Sequence, residues 1–139
     1  MSGENSGNPV SLEPGLEATF EKVVPAEWTL ASFDPRLPAV LSTPAMIGMM
    51  EVAAAKAVQP VLPAGSISVG TRIEVDHLKA APAGVTVRAR ARFAGMHGKF
   101  LAFDVEAHSG DLLIGRGRVY RAIVEMSRFT TGAGASKSA

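Results

Sequence analysis

The sequence predicts an α+β domain in which one long helix packs against a curved antiparallel β-sheet. Three observations carry that expectation. A single segment, opening at Ser42-Thr43-Pro44, has the start signals and composition of a helix. Everything after Gly65 is strand-like, and short turns marked by glycine separate the strand-like segments. A helix and a sheet each carry one apolar face, and stacking one on the other is the simplest way to bury both.

The elements follow in order. Residues 16–24 (LEATFEKVV) alternate imperfectly and read as a first strand that ends at Pro25. Residues 25–38 hold Trp28, Phe33 and three prolines, and read as a loop. Ser42 and Thr43 are helix-capping residue types, and Pro44 suits the first helical turn, where its missing N–H is no loss. Good helix formers continue through Met46, Met49, Met50, Glu51, Ala53 and Ala57, until Pro60 and Pro63 end the run. The three methionines read as core filling or pocket lining. Residues 66–78 form a strand with Thr71, Ile73, Val75 and His77 on one face and Arg72, Glu74 and Asp76 on the other. Residues 85–93 alternate strictly, with Val87, Ala89 and Ala91 against Arg88, Arg90 and Arg92. Strands over 99–108 and 112–126 complete a meander of hairpins. Gly115 and Gly117, inside the last strand, mark a bend or close packing.

A chain of 139 residues suits one domain, and 47% hydrophobic residues are enough to build its core. The domain is expected over 16–129, with flexible tails at 1–15 and 130–139. Fourteen Lys and Arg against 13 Asp and Glu leave a formal charge of +1, which gives no sign of a nucleic-acid partner. The absence of cysteine removes disulfides, thiolate nucleophiles and Cys-based zinc sites, and suits a reducing compartment. The first 14 residues lack the basic start and apolar run of a secretory signal, and the apolar stretch 44–58 is too short to span a bilayer. A cytoplasmic protein with no membrane partner is therefore expected.

Several catalytic signatures are absent. No G-x-S-x-G elbow, phosphate-binding P-loop or H-E-x-x-H pair occurs. What remains is Ser42-Thr43-Pro44 opening the helix, Glu51 within it, and Gly70-Thr71 ahead of Val75-Asp76-His77. Taken singly, Thr43 is a helix cap, Glu51 a helix-surface carboxylate and His77 a core histidine. Together, in the stretches STPAMIGMMEVAAAKAV and SVGTRIEVDHLKAAPAG, they resemble the hot-dog thioesterases of the fluoroacetyl-CoA thioesterase type. The spacing of the three residues agrees without a gap, and the hydrophobic pattern agrees more weakly through about Phe129.

That resemblance implies a hot-dog fold, hydrolysis of an acyl-CoA thioester and a catalytic set of Thr43, Glu51 and His77. Gly70, Phe33, Leu37, Ile47 and Arg121 are the expected substrate-binding residues. Coenzyme A enters as part of the substrate, with no metal and no separate cofactor. A homodimer or a dimer of such dimers is implied as well. The chemistry is reasonable, because a thioester needs a nucleophile or activated water, a base, and donors for the developing oxyanion. Glu51 has apolar sequence neighbours (Ile47, Met50, Ala54, Ala55) that would disfavour a charged carboxylate. Arg121, if buried, needs a carboxylate or phosphate partner. Arg88, Arg90 and Arg92 form a solvated strand face that could also meet CoA phosphates.

Two features depart from the fluoroacetyl-specific pattern. Pro44 stands where those enzymes follow their threonine with glycine, so an oxyanion hole at the helix end would have to use later N–H groups. Their aromatic lid is replaced by residues 33–38 (FDPRLP), with one Phe and a charged pair; residues 28–38 hold Trp28 and Phe33, but Asp34 and Arg36 make that segment polar enough to stay mobile. A general activity on small or short acyl groups is therefore expected. Two alternatives share the fold: a protein that binds acyl-CoA without turnover, and a dehydratase. Dehydratases of this fold usually carry an Asp and a His close together on the helix and its approach, and this helix carries neither.

Overall fold

The computed structural model describes residues 16–128. The tails expected at 1–15 and 130–139 lie outside that range. Five strands are present: β1 (Glu17–Val23), β2 (Ser66–His77), β3 (Thr86–His97), β4 (Phe100–Ser109) and β5 (Leu112–Glu125). One long helix, α1 (Thr43–Val58), joins β1 to β2. The stretch read as a loop contains two single-turn 3-10 helices, Ala26–Trp28 and Leu30–Ser32. They tie the chain down locally: the Thr29 hydroxyl donates to the Ala26 carbonyl at 2.7 Å, and the Ser32 hydroxyl to the Thr29 carbonyl at 2.7 Å.

The strands form one antiparallel sheet in the order β1-β3-β4-β5-β2. Hairpins join β3, β4 and β5, with Gly98 (φ 61°) and Gly110 (φ 59°) supplying the left-handed turn residues that side chains resist. β1 and β2 occupy the two edges, so α1 crosses the whole sheet between them.

Burial follows the alternation in the sequence. Val87, Ala89 and Ala91 on β3, with Phe103 and Val105 on β4, face the helix and are buried. From the helix come Met46, Met49, Met50, Ala53, Ala54 and Ala57. Alanines on both surfaces let helix and sheet approach closely, and the flexible methionines fill what remains. Gly115 and Gly117 serve the same end. A side chain at Gly115 would strike Met46 and the Asp76 carbonyl, and one at Gly117 would strike the backbone of β2.

The outer face of the sheet is a set of charged stripes. Glu17 and Glu21 on β1 face the β3 arginines, with Arg90 and Glu17 3.0 Å apart. Arg118 on β5 meets Asp104 on β4 at 2.9 Å. The β3 arginines thus have carboxylate partners on the neighbouring edge strand. Such exposed pairs contribute little stability each, but they keep the face solvated. Among the described residues, no helix is long and apolar enough to cross a membrane.

Candidate active site

Ser42 and Thr43 divide two tasks at the start of α1. Ser42 is the cap: its side chain accepts from the Ala45 N–H at 3.3 Å, and its carbonyl accepts from the Met46 N–H at 3.0 Å. Thr43 is the first helical residue, so its hydroxyl is released from capping. That hydroxyl lies 2.7 Å from His77 Nδ1, near the end of β2. The pair lines an open hollow of about 300 Å³ with Leu30, Val40, Leu78 and Lys79.

Pro44 has no N–H, and the next two donors are taken by Ser42. The first turn therefore has no spare later N–H, contrary to the expectation from sequence. In this first turn the N–H left without a partner among the described residues is that of Thr43 itself, beside its own hydroxyl.

His77 has a second nitrogen to satisfy. Nε2 is buried and has no hydrogen-bond partner among the described residues. When Nδ1 accepts the Thr43 hydroxyl proton, Nε2 carries the ring proton, and that N–H meets no acceptor among the described residues.

Glu51 lies two turns further along α1, away from this pair. Its Oε1 accepts from Arg121 Nη1 at 2.8 Å, and the two side chains are 23% and 8% exposed. The apolar surroundings read from the sequence are thus corrected. Ile47 is half-buried one turn before Glu51, but the nearest charged group comes from β5, 70 residues away. Arg121 also donates from Nε to the Ser68 hydroxyl at 2.9 Å and from Nη2 to the Ser68 carbonyl at 3.0 Å.

Gly70 faces the same carboxylate. A methyl group on Gly70 would overlap Glu51 Oε2 and lie 3.1 Å from the carboxyl carbon. Its lack of a side chain makes room for Glu51. At this point β2 also carries a bulge, between Gly70 and Arg72, of the kind that redirects a strand near functional groups. Gly70→Ala is expected to lower the melting temperature by a few degrees without unfolding the protein, because displacing the carboxylate disturbs its pair with the buried Arg121. It should lower turnover about 10-fold or more, because Glu51 is displaced. Thermal unfolding and steady-state kinetics on the one variant check both halves.

The structure thus sets Thr43 with His77, and Glu51 with Arg121 and Gly70, as two separate groups. Phe33 is 70% exposed and lines a different, apolar hollow with Trp28, Gly48, Met49 and Val52. Leu37 is exposed just beyond it. Asp34 and Arg36 pair with each other at 2.8 Å on the surface, and the guanidinium holds the Asp34 carboxyl below the usual carboxylate range. Ser68 had no signal in the sequence. Among the described residues, no group of three or more His, Cys, Asp or Glu is placed to hold a metal ion.

Residues 24–127 match the model of the family described as FlK, fluoroacetyl-CoA-specific thioesterase. The chain belongs to that family. Its members are thioester hydrolases, and the match takes in both side-chain groups described above. The fluoroacetyl-CoA thioesterase of Streptantibioticus cattleyicolor is 36% identical over 124 residues, which cover 85% of this chain and 89% of that one. A variant of the fluoroacetyl-CoA-specific thioesterase FlK, crystallised with fluoroacetate and CoA, superposes with a TM-score of 0.77 at 35% identity, over 85% of this chain and 99% of the other. A hot-dog-like protein from Thermanaerovibrio acidaminovorans gives a TM-score of 0.79 at 23% identity over 95% of each chain, which shows the hot-dog fold.

Proposed function

We propose that this family member hydrolyses a small or short-chain acyl-CoA to the free acid and CoA, using Thr43, His77 and Glu51. No metal or separate cofactor takes part in this reading. The observation that carries it is the 2.7 Å contact between the Thr43 hydroxyl and His77 Nδ1 at an open hollow, with helix capping left to Ser42. His77 Nδ1 takes a proton from Thr43, or from a water that Thr43 holds, as the new C–O bond forms at the thioester carbonyl. The Thr43 N–H is the nearest unpaired donor for the oxyanion. When the C–S bond breaks, the imidazolium returns the proton to the leaving thiolate. Where Thr43 itself attacked, a water deprotonated by the same imidazole then cleaves the acyl–Thr43 ester to the free acid, and the imidazolium returns the proton to the Thr43 oxygen. Glu51 supplies the second basic group. A relative solved with fluoroacetate and CoA supports coenzyme A as the carrier.

The working form in this proposal is a homodimer, alone or within a dimer of dimers. β2 ends the sheet as a 12-residue strand with no fully buried residue and an exposed Ile73. A long unpaired edge of this kind is a ready site for strand addition, and two-fold pairing of two copies closes it.

The direct test is release of free thiol from a panel of acyl-CoAs, on wild type and Glu51→Gln together. Turnover of at least one small acyl-CoA by the wild type, lost in the variant, supports the reading. Binding without thiol release across the panel would make the protein an acyl-CoA binder instead.

Little discrimination is expected between fluoroacetyl- and acetyl-CoA. The segment before the helix presents an exposed Phe33, an exposed Leu37 and a surface ion pair, not a closed aromatic cover. One fluorine gives so open a site only a small energy difference. The ratio of kcat/KM for the two substrates should stay below ~10³, and a larger ratio would show that the segment closes over the acyl group.

A further inference from the structure

Arg121 is the one charged side chain that is buried among the described residues. A buried guanidinium is tolerated only when its charge is matched and its N–H groups are taken. Each of its three nitrogens donates one hydrogen bond within the chain: one to Glu51 Oε1, and two to Ser68, at the hydroxyl and at the main-chain carbonyl. Arg121 and Ser68 stand on adjacent strands, β5 and β2, so sheet hydrogen bonds fix both ends of this arrangement.

The consequence falls on Glu51. A carboxylate alone can rotate and present either oxygen. Here Oε1 is held by Arg121, and Oε2 is turned to the bare backbone of Gly70 with no hydrogen-bond partner among the described residues. We propose that Ser68 and Arg121 are positioning residues, whose clamp makes Oε2 the oxygen of Glu51 that acts on the thioester or its attacking water. This rests on the reading of Glu51 as a working carboxylate. It gives Arg121 a task besides the substrate contact implied by resemblance, because three of its five N–H groups are already committed to Glu51 and Ser68.

Geometry and charge can be separated by substitution. Ser68→Ala removes the hydroxyl and keeps the carbonyl acceptor. Arg121→Lys keeps a positive charge and loses the planar fork that meets Glu51 and Ser68 together. Ser68→Thr keeps a hydroxyl in place. If the clamp acts by orientation, the loss appears in kcat and not in KM, since substrate affinity does not run through these groups.

The experiment is steady-state kinetics on full-length wild type, Ser68→Ala, Ser68→Thr, Arg121→Lys and Glu51→Gln, with an acyl-CoA that the wild type turns over. Thermal unfolding of each variant runs alongside. Ser68→Ala should lose about 10-fold in kcat with KM within about 2-fold, Ser68→Thr should recover most of that loss, and Arg121→Lys should lose about 10²-fold. Ser68→Ala carries the test if Arg121→Lys does not fold, because Ser68 is a half-buried position on an edge strand. A raised KM with kcat unchanged would overturn the proposal and return Arg121 to substrate binding. So would wild-type kcat in Ser68→Ala, or a Ser68→Thr variant no better than Ser68→Ala. Glu51→Gln separates the two levels. If it stays active, the role of Glu51 itself fails. If it is inactive while Ser68→Ala keeps full kcat, only the positioning inference fails.

Discussion

Glu51→Gln and His77→Ala are each expected to lower thioester turnover at least ~10²-fold while the fold persists. Glutamine keeps the shape of Glu51, and its amide oxygen can still accept from Arg121 Nη1, so the buried guanidinium is not left without an acceptor. What it loses is the negative charge and the basic oxygen. His77→Ala removes a ring whose sole hydrogen bond among the described residues is to the exposed Thr43 hydroxyl, and whose Nε2 has no partner. Its removal therefore orphans no buried group, and the stability cost should be small for a half-buried side chain. Thiol-release kinetics with thermal unfolding distinguish lost chemistry from lost folding. Near-wild-type turnover in either folded variant would remove that residue from the mechanism.

Much of the fold was legible because local pattern and tertiary burial agree. Ser42-Thr43-Pro44 marks the helix start, and the strict alternation around Ala89 and Ala91 marks a strand with one face in the core. The three hairpin strands β3, β4 and β5 follow from turn glycines between adjacent segments. The positions of β1 beside β3 and of β2 beside β5 do not follow from such signals, because those pairings join distant segments and no turn encodes them.

The site divides in the same way. Thr43, Glu51 and His77 stood out through family spacing, yet the environment of Glu51 was misread. Sequence neighbours on a helix point in different directions, and the group that faces Glu51 arrives from β5 through the sheet. From its own sequence context Arg121 was legible as a cation that, if buried, needs a partner, and the resemblance gave it a substrate contact. Nothing in the local sequence named Glu51 as that partner or Ser68 as its support. The later N–H groups expected at the helix end were also unavailable, since a Ser42 cap and a free Thr43 cannot be told apart from the residue types alone.

Mixing inactive Thr43→Ala and Glu51→Gln subunits is expected to restore activity. Eight residues separate the two positions on α1, about 12 Å along the axis with roughly 80° of rotation beyond two full turns. The structure gives each its own partners, His77 for Thr43 and Arg121 for Glu51, with no contact between the two groups. A thioester carbonyl held at Thr43 and His77 is thus far from the carboxylate of the same chain. Among the described residues, His77 Nε2 has no acceptor and Glu51 Oε2 no donor. Antiparallel pairing of two β2 edges would bring the His77 end of one strand toward the Ser68–Gly70 end of the other, and so could bring these complementary groups together. Each site would then draw Thr43 and His77 from one chain and Glu51 from its partner. In a mixed dimer one site receives both lesions and the other receives neither. Equal mixing makes half of the dimers mixed, so activity should reach about a quarter of wild type, well above either parent. The measurement is thiol release before and after subunit exchange, with exchange itself verified by differently tagged chains. Absence of recovery with proven exchange would place Thr43 and Glu51 in one site of one chain, or leave Thr43 outside the chemistry.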